Sequence, residues 1–184
     1  MGKIHSQDTR EGEIGLTASV GASLIGTIFD VVTGTTGVEG NSRPVLNIMG
    51  DYSFSDLVSL GLAFSYQSYE IKFDDSQGDF VDDIRCLNFG ARLLLHVVRD
   101  EDIDLYLGLR GSYTNWAANS TNTVAGYDPL REFTLSNVGL QPVIGASVFF
   151  DGKLGANLEL APVGVYYAAV GLHVRLQPGQ FGGN

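Results

Sequence analysis

The sequence predicts an all-β protein, an eight-stranded antiparallel up-and-down β-barrel that spans a membrane. Three observations predict this fold: apolar residues alternate with small or polar ones over long stretches, there are eight such stretches, and long and short connections alternate between them. The composition agrees, because 24 of the 184 residues are glycine and only 17% are charged, against about 25% in an ordinary soluble domain.

The first stretch shows the alternation most clearly. From Ile14 to Leu24, every second residue is apolar, and Gly, Thr or Ser fills each position between. A period of two places the apolar side chains on one face of a β-strand. The stretch is longer than the roughly four to eight residues of a half-buried soluble strand and matches the ~9–11 residues that a tilted strand needs to cross a bilayer.

Similar alternation predicts seven more strands. The eight predicted strands cover 14–24, 44–52, 57–71, 84–97, 104–116, 132–150, 154–161 and 165–176. The long connections are 25–43, 72–83 and 117–131, and the short ones are 53–56, 98–103 and 151–153. Transmembrane barrels have this arrangement, with long loops outside and short turns in the periplasm. Asp151-Gly152 predicts a two-residue hairpin turn, and Pro142, inside a strand, predicts a local bulge or a lost hydrogen bond.

The residues between the apolar positions indicate which face meets lipid. A soluble barrel, such as a lipocalin, carries many Lys and Glu residues on its outer face, whereas here these positions are mainly Gly, Ser, Thr, Ala and Asn. Small residues suit the narrow lumen of an eight-stranded barrel. We therefore expect Leu60, Leu93 and Val170 to face lipid, with the soluble ligand-binding barrel as the alternative.

Polar residues within the strands are expected to fill the lumen. The candidate lumenal network comprises Arg92, Arg110, Glu159, Arg175, Asn88, Gln141, Asn157 and His173. Because an unpaired buried charge is costly, Glu159 is expected to join Arg92 and Arg110 in one network that plugs the interior. We predict no catalytic residues, no cofactor and no metal ligands. The acidic segment 74–83 does not have the spacing of an EF-hand calcium loop.

The eight strands, the loop alternation and the last strand YYAAVGLHVRL (Tyr166 to Leu176) resemble the small eight-stranded outer-membrane barrels of Gram-negative bacteria, of the OmpX and OmpA-transmembrane-domain type. The resemblance covers about 13–176, and it leaves 1–12 as a flexible N-terminal segment and 177–184 as a C-terminal tail. It implies a porin-like protein of the bacterial outer membrane whose signal peptide has been removed. The last strand resembles the family's terminal assembly signal, although it ends on Leu176 where the family usually has Phe or Trp.

Composition and resemblance together limit the function. A net charge of −10 argues against nucleic-acid binding, and a single cysteine excludes a disulfide scaffold. The resemblance implies a non-enzymatic protein, acting in surface interaction, adhesion or an envelope complex. Its partners would be the outer-membrane bilayer and other envelope or surface proteins, reached through loops 25–43, 72–83 and 117–131.

Two further alternatives stay open beside the soluble barrel: a narrow small-solute pore and a lipid-A-modifying enzyme. Some barrels of this size deacylate lipid A with a His-x-Ser arrangement on one strand. Neither His96 nor His173 has a serine two positions later. A Ser–His–carboxylate triad is defined by geometry, however, so the sequence alone does not exclude one.

Overall fold

The structure is a computed structural model that describes residues 10–36, 39–75, 78–121, 134–162 and 164–177. Within those residues it contains nine strands and one helix. In chain order they are β1 (Ile14–Ala22), α1 (Leu24–Thr36), β2 (Glu39–Ser42), β3 (Val45–Ser53), β4 (Val58–Asp75), β5 (Gly78–Arg99), β6 (Ile103–Thr121), β7 (Thr134–Phe149), β8 (Leu154–Leu160) and β9 (Ala168–Leu176).

Eight of these strands close into a ring, which confirms the predicted antiparallel barrel. The order around the ring is β1, β3, β4, β5, β6, β7, β8 and β9, and β9 pairs back onto β1. Every neighbouring pair is antiparallel. In hydrocarbon, backbone N–H and C=O groups have no water to bond, and a closed ring supplies their partners from strand to strand.

The apolar side chains lie on the outside of the ring. Leu60, Leu93 and Val170 are 47%, 52% and 61% exposed, whereas the residues between the apolar positions of β1 are buried. An apolar outer surface that continues around the barrel suits hydrocarbon and not water. The predicted orientation is therefore confirmed, and the soluble alternative would need the opposite one.

The prediction of a loop at 25–43 is wrong, because these residues include helix α1 and strand β2. Ser23 caps α1: its Oγ accepts a hydrogen bond from the backbone N of Gly26 at 2.8 Å, which satisfies a donor that the first helical turn leaves free. β2 pairs with β4 directly above β3. Between β2 and β3 lies Pro44, which has no backbone N–H to donate.

The predicted loop 72–83 is also wrong, because β4 and β5 stay paired up to Asp75 and Gly78. β6 likewise continues through 117–121 into the third predicted loop. The rest of that loop, with residues 122–133, lies outside the described residues. The two strand extensions were missed because a sheet above the bilayer has water on both faces, so its sequence does not need to alternate.

The barrel consequently has two walls of different height. The tall wall is formed by β4, β5, β6 and β7, which have 16 to 22 residues, and by β3 with β2 above it on β4. The low wall is formed by β1, β8 and β9, with 7 to 9 residues each. The extended strands of the tall wall continue on the loop side, beyond the end of the low wall.

Two prolines mark the place where the walls part. The ladder between β7 and β8 ends at Ile144 and Leu160. Two residues further, the same register would place Pro142 opposite Pro162, and neither proline has an N–H to donate. The ladder between β6 and β7 passes Pro142 without a shift, so the bulge, one of the two predicted outcomes at Pro142, is absent. The ladder to β8 ends before Pro142, which agrees with the other predicted outcome, a lost hydrogen bond. The described bulge lies between His96 and Val98.

The predicted hairpin at Asp151-Gly152 joins β7 to β8 through residues 150–153, a longer loop than the two residues expected. Gly152 has φ +71°, a conformation that glycine adopts without steric cost. The Asp151 carboxylate accepts hydrogen bonds from the backbone N of Leu154 and Lys153 at 2.7 and 3.0 Å, and these bonds lower the pKa of that carboxyl. No helix in the described part of the chain is long and apolar enough to cross a bilayer.

Because the apolar face meets lipid, a charged substitution on that face should lower the free energy of unfolding by an amount that depends on its depth in the bilayer. Leu172→Arg places a cation on the lipid face at the middle of β9 and should lower the free energy of unfolding by about 2–4 kcal/mol. Leu57→Arg, in the turn before β4, is the control and should cost about 0–1 kcal/mol because it lies near the interface. Urea titration in lipid vesicles measures both. Equal costs at the two positions would contradict the assigned lipid face.

Candidate functional site: the lumen

Arg92 lies at the centre of the lumen, between two carboxylates. Its Nε is 3.1 Å from Oδ1 of Asp51, and its Nη2 is 3.0 Å from Oε2 of Glu159. All three side chains are buried. Transferring a lone charge out of water is costly. The two carboxylates compensate the buried charge of Arg92 and so allow it to lie in the barrel interior.

Glu159 also accepts hydrogen bonds from two tyrosines. The hydroxyl of Tyr106 donates to Oε2 at 2.7 Å, and the hydroxyl of Tyr166 donates to Oε1. Arg110 does not pair with Glu159 directly: its Nη1 donates to the Tyr166 hydroxyl at 3.3 Å, and its Nη2 donates to Ser65 and Asn88. The expected contact between Arg110 and Glu159 therefore passes through Tyr166.

We call this set the central network: Asp51, Arg92, Tyr106, Arg110, Glu159 and Tyr166. It contains two cations and two carboxylates, so its formal charge balances. Its side chains come from β3, β5, β6 and β8, and from the segment before β9. A polar network of this kind, buried in a low dielectric, holds its strands in one arrangement when every member has a partner.

Glycines make room for the central network. A Cβ placed on Gly145 would lie 2.1 Å from Cζ of Tyr106, and one placed on Gly61 would lie 2.0 Å from Oδ1 of Asp51. Both distances are well below van der Waals contact. The small residues on the inward face therefore allow large side chains from neighbouring strands to reach the middle of the barrel.

The other residues of the predicted lumenal network also point inward. The side-chain nitrogen of Asn88 donates to Thr114 at 2.7 Å, that of Gln141 to the backbone oxygen of Tyr166 at 3.4 Å, and that of Asn157 to Ser147 at 3.0 Å. His173 is 2.9 Å from the Thr17 hydroxyl.

Arg175 lies in a second group at the end of the barrel where the short turns are. We call it the turn-side network: Glu13, Ser59, His96, Arg99, Asp104 and Arg175. Glu13 is buried between the guanidinium groups of Arg99, at 2.8 Å, and Arg175, at 3.7 Å. Arg10 joins from outside the ring, with its Nη1 3.0 Å from Glu13. These contacts close the turn-side end of the lumen.

Three residues of the turn-side network have the connectivity of a serine-hydrolase triad. The Ser59 hydroxyl is 2.8 Å from Nε2 of His96, and Nδ1 of His96 is 2.6 Å from Oδ1 of Asp104. All three are buried. Geometry and not sequence order defines a triad, so this chain of contacts is a candidate catalytic group that the sequence analysis did not identify.

One cavity beside these residues is very small. The cavity that Ser59, Arg92, His96 and Tyr106 help to line has a volume of about 10 Å³, which is close to the minimum for one water molecule. Among the described residues, no group of three or more His, Cys, Asp or Glu side chains is arranged to hold a metal ion. The space accommodates no substrate or solute larger than water.

Some lumenal residues were detectable in the sequence and others were not. Tyr106 and Arg110 are four residues apart on β6 and therefore point to the same, inward face, so the position of Tyr106 follows from the alternation. The alternation of the predicted strand 165–176 places Tyr166 on the same, lipid-facing side as Val170. Tyr166 is buried instead, because β9 starts only at Ala168 and the alternation does not extend back to Tyr166. Glu13 precedes the first strand, where no period marks it.

Gly145→Ala tests the fit of the central network. The new methyl group would displace the Tyr106 ring from Glu159, and overpacking of this kind costs about 1–3 kcal/mol of unfolding free energy. Gly139→Ala, on the same strand, is the matched control: nothing lies within 4 Å of a Cβ placed there, so a change of about 0.5 kcal/mol or less is expected. Urea unfolding compares them, and equal effects would argue against a tightly filled lumen.

The fold is similar to that of solved β-barrels, among them an outer membrane protein. The N-terminal β-barrel domain of Pseudomonas aeruginosa OprF matches with a TM-score of 0.55 and 11% identity, over 90% of this chain and 98% of that one. Pseudomonas aeruginosa OprG matches with a TM-score of 0.52 and 12% identity, over 91% and 97%. Ail of Yersinia pestis, solved with the heparin analogue sucrose octasulfate, has a TM-score of 0.49 and 13% identity, over 90% and 99%.

No protein-family model and no curated protein matches the sequence. At these identities the structural likeness establishes the fold. Together with the apolar outer face and the closed ring, it makes the chain a small eight-stranded transmembrane β-barrel of the bacterial outer-membrane type.

Proposed function

We propose that the protein is a non-enzymatic surface-interaction protein, in which the barrel is a membrane anchor and the tall wall contacts a partner outside the cell. One observation carries the proposal: side chains fill the lumen, while four consecutive strands continue beyond the low wall. Because buried side chains occupy the lumen, we propose no pore activity. Rigid scaffolds commonly present function on such projecting segments.

The charge of the tall wall favours a cationic partner. Residues 70–83 contain six carboxylates and one lysine. In the ladder between β4 and β5, Glu70 lies opposite Asp83 and Asp74 lies opposite Asp79. Glu70 is already paired with Lys72 at 2.9 Å, and the net negative charge that remains on this segment would attract a basic partner. An adhesin or an envelope-complex subunit would use this surface in the same way.

The proposal is tested by measuring the retention of phosphatidylcholine proteoliposomes that carry the protein on a surface coated with a lysine-rich peptide. The wall variant Asp74→Asn/Asp75→Asn/Asp79→Asn should lower retention about tenfold at low salt, because long-range attraction depends on the summed charge, and salt should weaken retention of the unmodified protein. The control variant, Glu101→Gln/Asp102→Asn, neutralises two carboxylates in the β5–β6 turn. Equal retention of the wall variant, or an equal loss in the control, would contradict the proposal.

The triad-like contacts of Ser59, His96 and Asp104 favour a hydrolase as the second candidate function. The proposed function predicts that a fluorophosphonate probe does not label Ser59, because the adjoining space admits only water. A hydrolase would form an Oγ–phosphorus bond with loss of fluoride, and His96 would take the serine proton. Mass spectrometry of the unmodified protein and of Ser59→Ala distinguishes the two. Labelling that disappears in the variant would establish the enzyme instead.

A further inference from the structure

Helix α1 carries an exposed apolar stripe. Leu24, Ile25 and Ile28 are 57%, 47% and 54% exposed, and Val31 and Val32 share that side of the helix and are also exposed. At 100° per residue these five positions fall within about one-third of the helix circumference. The stripe contains no charged residue. An apolar surface of this kind, on a helix that is not one of the barrel strands, needs an apolar surrounding.

The opposite side of α1 rests on the tall wall. The Phe29 ring meets the Tyr69 ring of β4 edge to face, with centroids 5.4 Å apart. Asp30 accepts hydrogen bonds from the backbone N and the hydroxyl of Ser42 in β2, at 3.1 and 2.7 Å. These contacts fix the rotation of the helix, so the stripe faces away from the tall wall and toward the low side of the barrel.

The low wall is shorter than the hydrocarbon that it must cross. The seven residues of β8 span about 23 Å along the strand, which rises about 16–19 Å at the usual strand tilt. The nine residues of β1 and of β9 rise about 21–24 Å by the same arithmetic. The apolar band of an outer-membrane barrel is about 25 Å tall. Outer-leaflet acyl chains beside the low wall therefore extend above its rim.

α1 begins at this rim, immediately after the outermost lipid-facing residues of β1. The chain passes from Val20 and Ala22, on the outer face, through the cap Ser23 to Leu24. Tyr167 lies at the same level: its backbone N donates to the oxygen of Ala22 at 2.9 Å, and its ring is 41% exposed. A half-exposed tyrosine at a strand end is typical of the membrane interface.

We propose that the apolar stripe of α1 binds the acyl chains of outer-leaflet lipids and completes the lipid-facing belt above the low wall. The helix acts as an interfacial amphipathic helix, anchored by Phe29 and Asp30 on its polar side. The barrel then presents an apolar band of even height on both sides, although its strands differ in length. The proposal does not depend on what the tall wall binds.

Site-specific fluorescence quenching tests this arrangement in phosphatidylcholine vesicles. A thiol-reactive NBD label is placed at Ile28→Cys on the stripe and at Thr27→Cys, the neighbouring exposed position off the stripe. Val170→Cys and Glu101→Cys provide the lipid and water references. The native Cys86 is buried, so the unmodified chain should remain unlabelled. A shift in gel mobility on heating checks that each variant is folded.

The label at Ile28 should be quenched by doxyl-labelled lipid about threefold more strongly than the label at Thr27, and it should approach the value at Val170. Quenching of the Ile28 label by aqueous iodide to the level of Glu101 would overturn the proposal. Protection from both quenchers would overturn it as well, because another part of the chain or a second copy would then cover the stripe.

Discussion

The narrow lumen can hold charged residues only if each has a partner. An eight-stranded barrel is just wide enough to be filled by its own side chains, and here that filling includes the fully buried Glu159 and Arg110. Arg92 forms ion pairs with both Glu159 and Asp51, and two tyrosine hydroxyls donate hydrogen bonds to Glu159. Removal of one partner would leave an uncompensated charge where water does not reach. The inward glycines provide the space that these paired side chains occupy.

The two walls differ in height on one side of the barrel because the ladder between β7 and β8 ends early. Pro142 and Pro162 occupy positions that would face each other if the ladder continued beyond Ile144 and Leu160. β7 nonetheless continues outward, because β6 pairs with it as far as Thr134. The two prolines therefore limit β8 without limiting β7.

The alternation in the sequence was sufficient to predict the ring, because lipid on one face and a packed lumen on the other force a period of two. It failed for 72–83, where the sheet has no lipid side, and the Asp residues there were taken for a loop. It failed for α1, because the apolar residues from Leu24 to Val32 continue directly from a strand and have no marker except Ser23. The sequence also could not predict that Tyr166 forms hydrogen bonds with both Arg110 and Glu159, because these contacts depend on where β9 begins.

The pairing of β1 with β9 has a consequence for biogenesis. Nine residues of the first strand find their partners in the last strand, so a nascent chain that lacks its final segment has unsatisfied edges on both sides. Such a chain cannot reach the native topology while it is being synthesised, and it must be kept from aggregating until its end is available. Maturation then becomes a single late event in which the two ends of the sheet are joined.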